Sequence, residues 1–312
     1  MTSTAPVRST DAGAWAALAA HAGLLVFSGV AFATFLAPPA PAWLLTPQSQ
    51  RVAATMFRFG GQTTVVLGAI AALLHARGRL GTRRTLIVFS VAFAISLGAE
   101  LLGTTTGYPF GPYSYTTQLG YLVGGRVPFN IPTSWFFMVY ASLAICGRLL
   151  TPRDDSATRW RWAVVAAFVL TAWDVSMDPA MVATTHWLWH LPSLEGASVL
   201  RRVTLSNLFY GMPLTNWLGW LLTGTVVARA MLGIVPPSTW TSRVSPSRLP
   251  RVLYAVNGVF PILVCAGRGL WWAVGLGALA MAVSLALAVR APDVAGARET
   301  GDALLLDRVA LG

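Results

Sequence analysis

The chain alternates between long apolar stretches and short polar connections. A helix needs roughly 20 mostly apolar residues to cross about 30 Å of hydrocarbon. The stretches that approach or exceed this length are residues 14–36, 52–75, 85–103, 132–150, 161–179, 211–232, 252–267 and 270–290. The pattern predicts an all-α fold, a polytopic transmembrane helical bundle of about eight spans. We expect residues 1–290 to form a single transmembrane domain and residues 291–312 a short polar tail.

The composition is that of a protein whose solvent is mainly lipid. Hydrophobic residues make up 55% of the chain and charged residues only 11%, whereas an ordinary soluble domain has about 25% charged residues. All 22 residues in the Lys+Arg count are arginine, and the net charge is +11. Because the arginines cluster in the connections between apolar stretches, we expect them to contact anionic lipid headgroups of the bilayer, and we expect no nucleic acid partner.

The arginines also predict how the bundle is oriented. If both termini are cytoplasmic, most arginines fall on the cytoplasmic side, as the positive-inside rule requires. This side then carries Arg8, Arg77, Arg79, Arg83, Arg84, Arg148, Arg153, Arg159, Arg161, Arg229, Arg243, Arg248, Arg251, Arg290, Arg298 and Arg308. We therefore expect a multi-pass protein of a prokaryotic cytoplasmic membrane. Ala-Pro-Ala at residues 40–42 resembles a signal-peptide cleavage site, but the first apolar run is longer than a typical signal sequence, so we expect it to remain as a span.

Three of the 11 acidic residues lie in or at the ends of apolar stretches, namely Glu100, Asp174 and Asp178. A charge at the middle of a membrane helix costs roughly 2.5–3.5 kcal/mol on insertion scales, and such residues usually face the protein interior and serve a function. From the helical rise per residue, Glu100 and Asp174 both lie roughly 18 to 21 Å from the cytoplasmic face. Asp178 follows Asp174 by four residues, so both project from one helix face. Pro179 predicts that this helix ends there.

Arg58 lies near the same level in the second stretch and is a candidate partner for these acids. One interpretation is a structural ion pair that fixes the register of two helices. One arginine can pair with only one of the three acids, so two carboxyl groups lack a cationic partner. Like charges and apolar surroundings both favour the protonated form of a carboxyl group. A protonated carboxyl group in an apolar pocket is a usable general acid. Glu100, Asp174 and Asp178 are therefore candidate catalytic residues.

Two connections on the non-cytoplasmic side, residues 104–131 and 180–210, are long and rich in aromatic residues. Connections of this length are usually functional or partly folded, although an aromatic belt at the membrane interface is the alternative for any one tyrosine. The second connection contains His186 and His190, whose spacing could place two metal ligands on one helix face. The other two histidines lie on separate spans, and the chain contains no nucleotide or phosphate motif. We expect neither a metal nor a cofactor.

Ordered motifs between about residues 95 and 222 carry a family resemblance. They are ELLG from Glu100, TGYPFGPYSY from Thr106, VP at Val127, IP at Ile131 before Trp135, WD at Trp173, DPAM from Asp178 and YGMPLTNWLGW from Tyr210. Together they resemble the membrane-integral carotenoid 1',2'-hydratases, a family that includes the bisanhydrobacterioruberin hydratases.

The resemblance implies a cofactor-independent enzyme of carotenoid biosynthesis. The reaction would add water across the terminal 1',2' double bond of an acyclic or monocyclic carotenoid, such as lycopene or gamma-carotene. Carotenoid and water are then the expected partners, with other enzymes of carotenoid biosynthesis as further ones. Protonation of the alkene gives a tertiary carbocation, which aromatic faces stabilise by cation–π attraction.

This chemistry assigns roles to the candidate residues. We expect Glu100 or Asp174 to deliver the proton, and Asp178 with Asn216 to position the water. The residues expected to bind the substrate are Arg58, Tyr108, Tyr113, Tyr115, Trp135, Trp173, Tyr210 and Asn216. Of these, we expect Tyr108, Tyr113, Trp135 and Trp173 to flank the cation.

Three other functions remain open on the sequence. A carotenoid (lycopene) cyclase also begins by protonating a terminal alkene but ends by losing a proton, so its product keeps the substrate's mass. A non-catalytic carotenoid-binding membrane subunit would use the acids only to lock helices together. A proton-coupled transporter also carries intramembrane acids, but here they lie near one face and no inverted repeat is visible.

Overall fold

The computed structural model describes residues 7–36 and 39–291, except the side chains of residues 7–10 and of Arg58. Its helices are α1 (Val7–Ala33), α2 (Pro47–Leu80), α3 (Thr82–Thr106), α4 (Asn130–Leu149), α5 (Ser156–Ala183), α6 (Val199–Leu205), α7 (Leu214–Ile234), α8 (Pro237–Thr239), α9 (Leu249–Asn257), α10 (Val259–Gly267) and α11 (Trp271–Arg290). The short strands of this part of the chain are β1 (Tyr113–Tyr115), β2 (Leu122–Val123), β3 (Val127–Pro128) and β4 (Trp187–Trp189).

Within the described residues, seven helices are long and apolar enough to cross a membrane, with α9 and α10 together counted as one. The predicted all-α polytopic bundle is confirmed. The cytoplasmic placement of both termini stays a prediction, and residues 292–312 of the predicted tail lie outside the described residues.

The predicted span at residues 132–150 corresponds to α4, which is not among these seven helices. Nearly all of its side chains are buried, because α2, α3, α5 and α9 pack around it. A helix surrounded by protein instead of lipid does not need a uniformly apolar surface. Its buried side chains accordingly include Asn130, Thr133 and Ser142.

The connections assemble at two opposite ends of the bundle. At the loop end, formed by residues 107–129 and 184–213, β1 pairs antiparallel with β4. Both α3 and α5 therefore end here, and α4 between them runs back across the bundle. At the other end, Arg148 Nη2 donates to the carbonyl of Ala291 at 2.7 Å, and Ser238 Oγ donates to Asp154 Oδ2 at 2.6 Å. The alternation of directions along the chain matches the predicted order of spans.

One predicted helix boundary was wrong. The fifth helix was expected to end at Asp178, but α5 continues through Pro179 to Ala183. A proline removes only one backbone donor, and beyond it Thr184 closes the helix, since its N–H and hydroxyl both donate to the Ala180 carbonyl at 3.0 and 2.9 Å. The span predicted at residues 252–267 is found as Leu249–Gly267, which consists of α9 and α10 with Gly258 between them.

Candidate active site

Glu100 is a buried carboxylate near the loop end of α3, held by three neutral donors. The hydroxyls of Tyr113 and Tyr115 both donate to Oε2, the latter at 2.8 Å, and Trp135 Nε1 donates to Oε1 at 3.0 Å. The glutamate is only 3% exposed. Both oxygens accept hydrogen bonds from uncharged groups, and these bonds lower the cost of a negative charge on the buried carboxyl group.

The sequence after Glu100 explains how the two tyrosines reach it. Gly107 has a positive φ of 80° and ends α3 in the left-handed conformation that glycine adopts readily. Gly103 lets the returning loop pack closely, because a Cβ there would lie 2.8 Å from Phe110 Cδ2 and 3.1 Å from Tyr113 Oη. Burial, and after it the charge of Glu100, raise the pKa of Tyr113 and Tyr115 well above the usual range. Both hydroxyls therefore stay protonated and donate.

The β1–β4 pair joins the two aromatic connections that the sequence singled out. Tyr113 faces Trp189 and Tyr115 faces Trp187 across the pair. Trp187 Nε1 in turn donates to Asp178 Oδ1. One small sheet thus links the surroundings of Glu100 to those of Asp178.

Asp174 and Asp178 form a second buried cluster with Asn216. Both aspartates project from one face of α5, as their spacing predicts, and Asn216 Nδ2 donates to Asp174 Oδ2 at 3.1 Å and to Asp178 Oδ2 at 2.8 Å. Asp174 Oδ1 has no hydrogen-bond partner among the described residues. The amide of Asn216 therefore links the two carboxyl groups and ties α7 to α5.

Three tryptophan rings make an aromatic wall beside Glu100. Trp135 and Trp220 are stacked, with ring centroids 4.4 Å apart and planes 20° from parallel. Trp173 meets Trp220 edge to face at 5.9 Å, and its Nε1 donates to the Asn257 carbonyl at 2.9 Å. Such a wall presents negative π faces to a cation.

An apolar cavity of about 600 Å³ lies against Glu100 and this wall. The residues that line it include Glu100, Tyr115, Trp135, Trp173, Trp220, Asn130, His186 and Trp187. The same cavity extends between α1, α2 and a 3-10 turn at Ala42–Leu45, where Phe27, Trp43, Val52 and Met56 line it and are also more than half exposed. In a membrane protein such an opening faces the lipid and suits a long apolar molecule.

The structure divides the predicted site residues into groups. Glu100, Tyr115, Trp135 and Trp173 line the cavity, whereas Tyr113, Asp174, Asp178 and Asn216 pack behind its wall. Tyr108 is 75% exposed on the loop, and Tyr210 lies apart, where its hydroxyl accepts from the backbone N–H of Trp272 at 3.2 Å. The side chain of Arg58, and with it the predicted ion pair, lies outside the described residues.

His186 and His190 do not share a helix face, because the segment between them is strand β4. His186 is buried and its Nδ1 lies 2.7 Å from Thr184 Oγ1, while His190 Nε2 lies 2.7 Å from Ser114 Oγ at an exposed position. The four-residue spacing does not bring the two rings onto one helix face, because the residues between them form a strand that pairs with β1.

Trp187, Trp220, His186 and Asn130 are among the cavity residues to which sequence reasoning gave no role in the reaction. Trp220 follows Asn216 by four residues, so the helical period of α7 could have placed it on the same face. The positions of the other three depend on how the connections fold and on the packing of α4, which local patterns do not define.

Comparison with known proteins agrees with this geometry. The family model described as carotenoid biosynthesis protein matches residues 60–284, which is more than half of the chain. The chain belongs to this carotenoid biosynthesis family. One curated relative is the bisanhydrobacterioruberin hydratase of Haloarcula japonica. It is 34% identical to this chain over 131 residues, which cover 42% of this chain and 39% of the relative.

The chain thus spans about two fifths of the length of the curated relative that it matches. No solved structure matches the chain. Membership of the family confirms the resemblance drawn from the motifs.

Proposed function

We propose that this carotenoid biosynthesis protein adds water across the terminal 1',2' double bond of an acyclic or monocyclic carotenoid, such as lycopene or gamma-carotene. The observation that carries the proposal is that Glu100, with three neutral donors, lines an apolar cavity that opens toward the lipid. The name of the relative, a carotenoid hydratase, supports the same reaction type.

Glu100 in its acid form is the proposed proton donor. Its position in the cavity wall favours it over Asp174, which packs behind the wall with Asn216. The proton moves from the carboxyl group to the less substituted carbon of the terminal alkene and leaves a tertiary cation on the other carbon. Hydrogen bonds from Tyr113, Tyr115 and Trp135 stabilise the carboxylate that remains.

The aromatic wall supports the second half of the reaction. Trp135, Trp173 and Trp220 present π faces that attract the cation without attacking it. Water then forms a bond to the cationic carbon, and loss of one proton gives the tertiary alcohol. Hydration changes no oxidation state overall and needs only proton transfers, which is why we propose a cofactor-independent reaction.

We assign a positioning role to Asp174, Asp178 and Asn216. Their hydrogen bonds connect α5, α7 and the start of β4. Trp187, which Asp178 holds, lines the cavity next to Tyr115. This cluster would keep the loop end rigid around the substrate, in place of the water-holding role that the sequence suggested for Asp178.

The membrane setting completes the proposal. The substrate would enter from the bilayer through the opening beside Trp43 and Met56, because both line the cavity and are exposed. We place the protein in a prokaryotic cytoplasmic membrane with both termini cytoplasmic. Reporter fusions to both termini test this orientation, and periplasmic activity of either fusion would contradict it.

Pigment analysis in a lycopene-producing host tests the reaction. Wild-type protein should give a product heavier by one water, whereas Glu100→Gln should lower its formation by a factor on the order of 10²–10⁴, the range for loss of a general acid. Glu195→Gln makes the same chemical change at an exposed loop position and should leave the yield unchanged.

Other outcomes discriminate the alternatives. A new product of unchanged mass would indicate a cyclase, and unaltered carotenoid that copurifies with the protein would indicate a binding subunit. Undiminished hydration by Glu100→Gln, together with loss in Asp174→Asn, would move the donor role to Asp174.

A further inference from the structure

His186 is a cavity residue that proton delivery from Glu100 does not use. Its position is fixed from both sides, since its N–H donates to the Met181 carbonyl at 2.9 Å and its own carbonyl accepts from Thr116 N at 2.9 Å. The ring lies edge-on to Phe32, with centroids 5.9 Å apart. His186 is therefore a fixed polar side chain in the wall of an apolar cavity, where it could take part in a proton transfer.

The contacts of Thr184 define which ring nitrogen of His186 carries the proton. The Thr184 hydroxyl lies 2.9 Å from the Ala180 carbonyl, which can only accept, so its one hydrogen is directed there. With that hydrogen directed to the carbonyl, we assign the contact of 2.7 Å between Thr184 Oγ1 and His186 Nδ1 to donation by Nδ1–H. This tautomer leaves Nε2 as an unprotonated acceptor.

The ring is also neutral under ordinary conditions. Burial lowers the pKa of His186 to about 4. Near neutral pH an imidazole of this kind holds no extra proton and can receive one.

Glu100 and His186 belong to the same structural unit. Tyr115, a donor to Glu100, pairs across the β1–β4 sheet with Trp187, the residue after His186. Both Glu100 and His186 line the same cavity. The sheet thus joins a segment that contacts the acid to the segment that holds the acceptor, and both groups line one apolar space.

We propose that Nε2 of His186 is the base that receives the proton of the attacking water in the hydration reaction, which rests on the function proposed above. The oxygen of water bonds to the tertiary cation, one O–H bond breaks, and its proton passes to Nε2. Without a base, the protonated alcohol would lose water and revert to the cation. The imidazolium then returns the proton to the Glu100 carboxylate, which restores both groups, so that the net change is one water added.

The experiment separates alkene protonation from water capture. Membranes containing the protein are incubated with lycopene in deuterated water, and both the hydroxylated product and the recovered lycopene are analysed by mass spectrometry. Deuterium enters recovered lycopene whenever the cation forms and loses a proton again. His186→Gln is compared with the matched variant His190→Gln, because His190 lies exposed outside the cavity.

His186→Gln should lower hydration by a factor on the order of 10² or more while deuterium still enters the recovered substrate, and His190→Gln should behave as wild type. Retained deuterium uptake would also show that the variant is folded. Hydration by His186→Gln at the wild-type rate would overturn the proposal, as would loss of deuterium uptake together with hydration. Absence of any hydrated product from wild-type protein would instead refute the proposed function itself.

Discussion

Replacing Tyr115 by phenylalanine removes one hydroxyl group and leaves the ring in place. That hydroxyl donates to Glu100 Oε2 at 2.8 Å, and the ring packs edge-on against Trp187 with centroids 5.7 Å apart. The variant therefore tests the stabilisation of the carboxylate with little change in packing.

The magnitude follows from the charge that develops on Glu100. A hydrogen bond to a charged group contributes about 1.5–3 kcal/mol, and a difference of about 1.4 kcal/mol changes a rate tenfold. The hydroxyl also bonds the neutral acid before the reaction, and Tyr113 and Trp135 continue to donate. Only the increase during proton transfer counts, so we expect a rate lowered about tenfold in Tyr115→Phe.

Initial rates of lycopene hydration in membranes would measure the effect. We expect kcat to fall while KM stays the same, because the lost bond strengthens only in the transition state. Tyr121→Phe is the control, since Tyr121 lies 73% exposed on the same loop. An unchanged kcat, or an effect on KM alone, would refute the role of this hydroxyl.

Three further changes test other parts of the site. Trp220→Leu removes a π face from the wall and should lower kcat by about 2- to 30-fold, the equivalent of about 0.5–2 kcal/mol of cation–π attraction, measured by the same assay. Gly103→Ala adds a Cβ within 2.8 Å of Phe110 and 3.1 Å of Tyr113, so it should displace the loop and lower both activity and melting temperature. Burial lowers the pKa of His186 to about 4 in the folded protein, so between about pH 6.5 and 4 the unfolded chain binds a proton at this histidine more readily than the folded chain does. The free energy of unfolding should therefore be unaffected by this group above about pH 6.5 and should decrease as the pH falls toward 4. Melting of detergent-solubilised protein between these pH values should show this slope, and His186→Phe should reduce it.

Matched controls exist for the first two of these changes. Trp271 is 66% exposed, so Trp271→Leu should leave kcat unchanged. Nothing lies within 4 Å of a Cβ built on Gly98 of the same helix, so Gly98→Ala should keep full stability. Equal losses in variant and control would contradict the corresponding explanation.

The spans and the shared face of Asp174 and Asp178 were predictable because they depend on local properties. Lipid requires long apolar helices whose backbone groups are satisfied within the segment. The depth that helical rise assigns to Glu100 and Asp174 stays a prediction. The four-residue spacing likewise placed Asp174 and Asp178 on one face, where Asn216 contacts both. These inferences need only the geometry of one helix.

The composition of the site was less predictable because it depends on contacts between distant segments. Which acid lines the cavity is decided by the packing of α3 and α5 around α4. His186 obtains its environment from the pairing of β4 with β1, and helical periodicity gives no indication of that pairing. Pro179 favoured a helix end, yet Thr184 and its bonds to Ala180 carry α5 one turn further.

The three buried acids occupy two different surroundings, which suggests two different roles. Glu100 lines the cavity, and its three donors reduce the cost of its burial. Asp178 instead accepts from Trp187, the first residue of β4, and so anchors the strand beside which His186 is held. An apolar residue at Asp178 would leave the Trp187 N–H unsatisfied and free the strand to shift. In the proposed mechanism the aspartate cluster would act through position, because Asp178 anchors the strand that joins the Tyr115 segment, which holds Glu100, to the segment of His186.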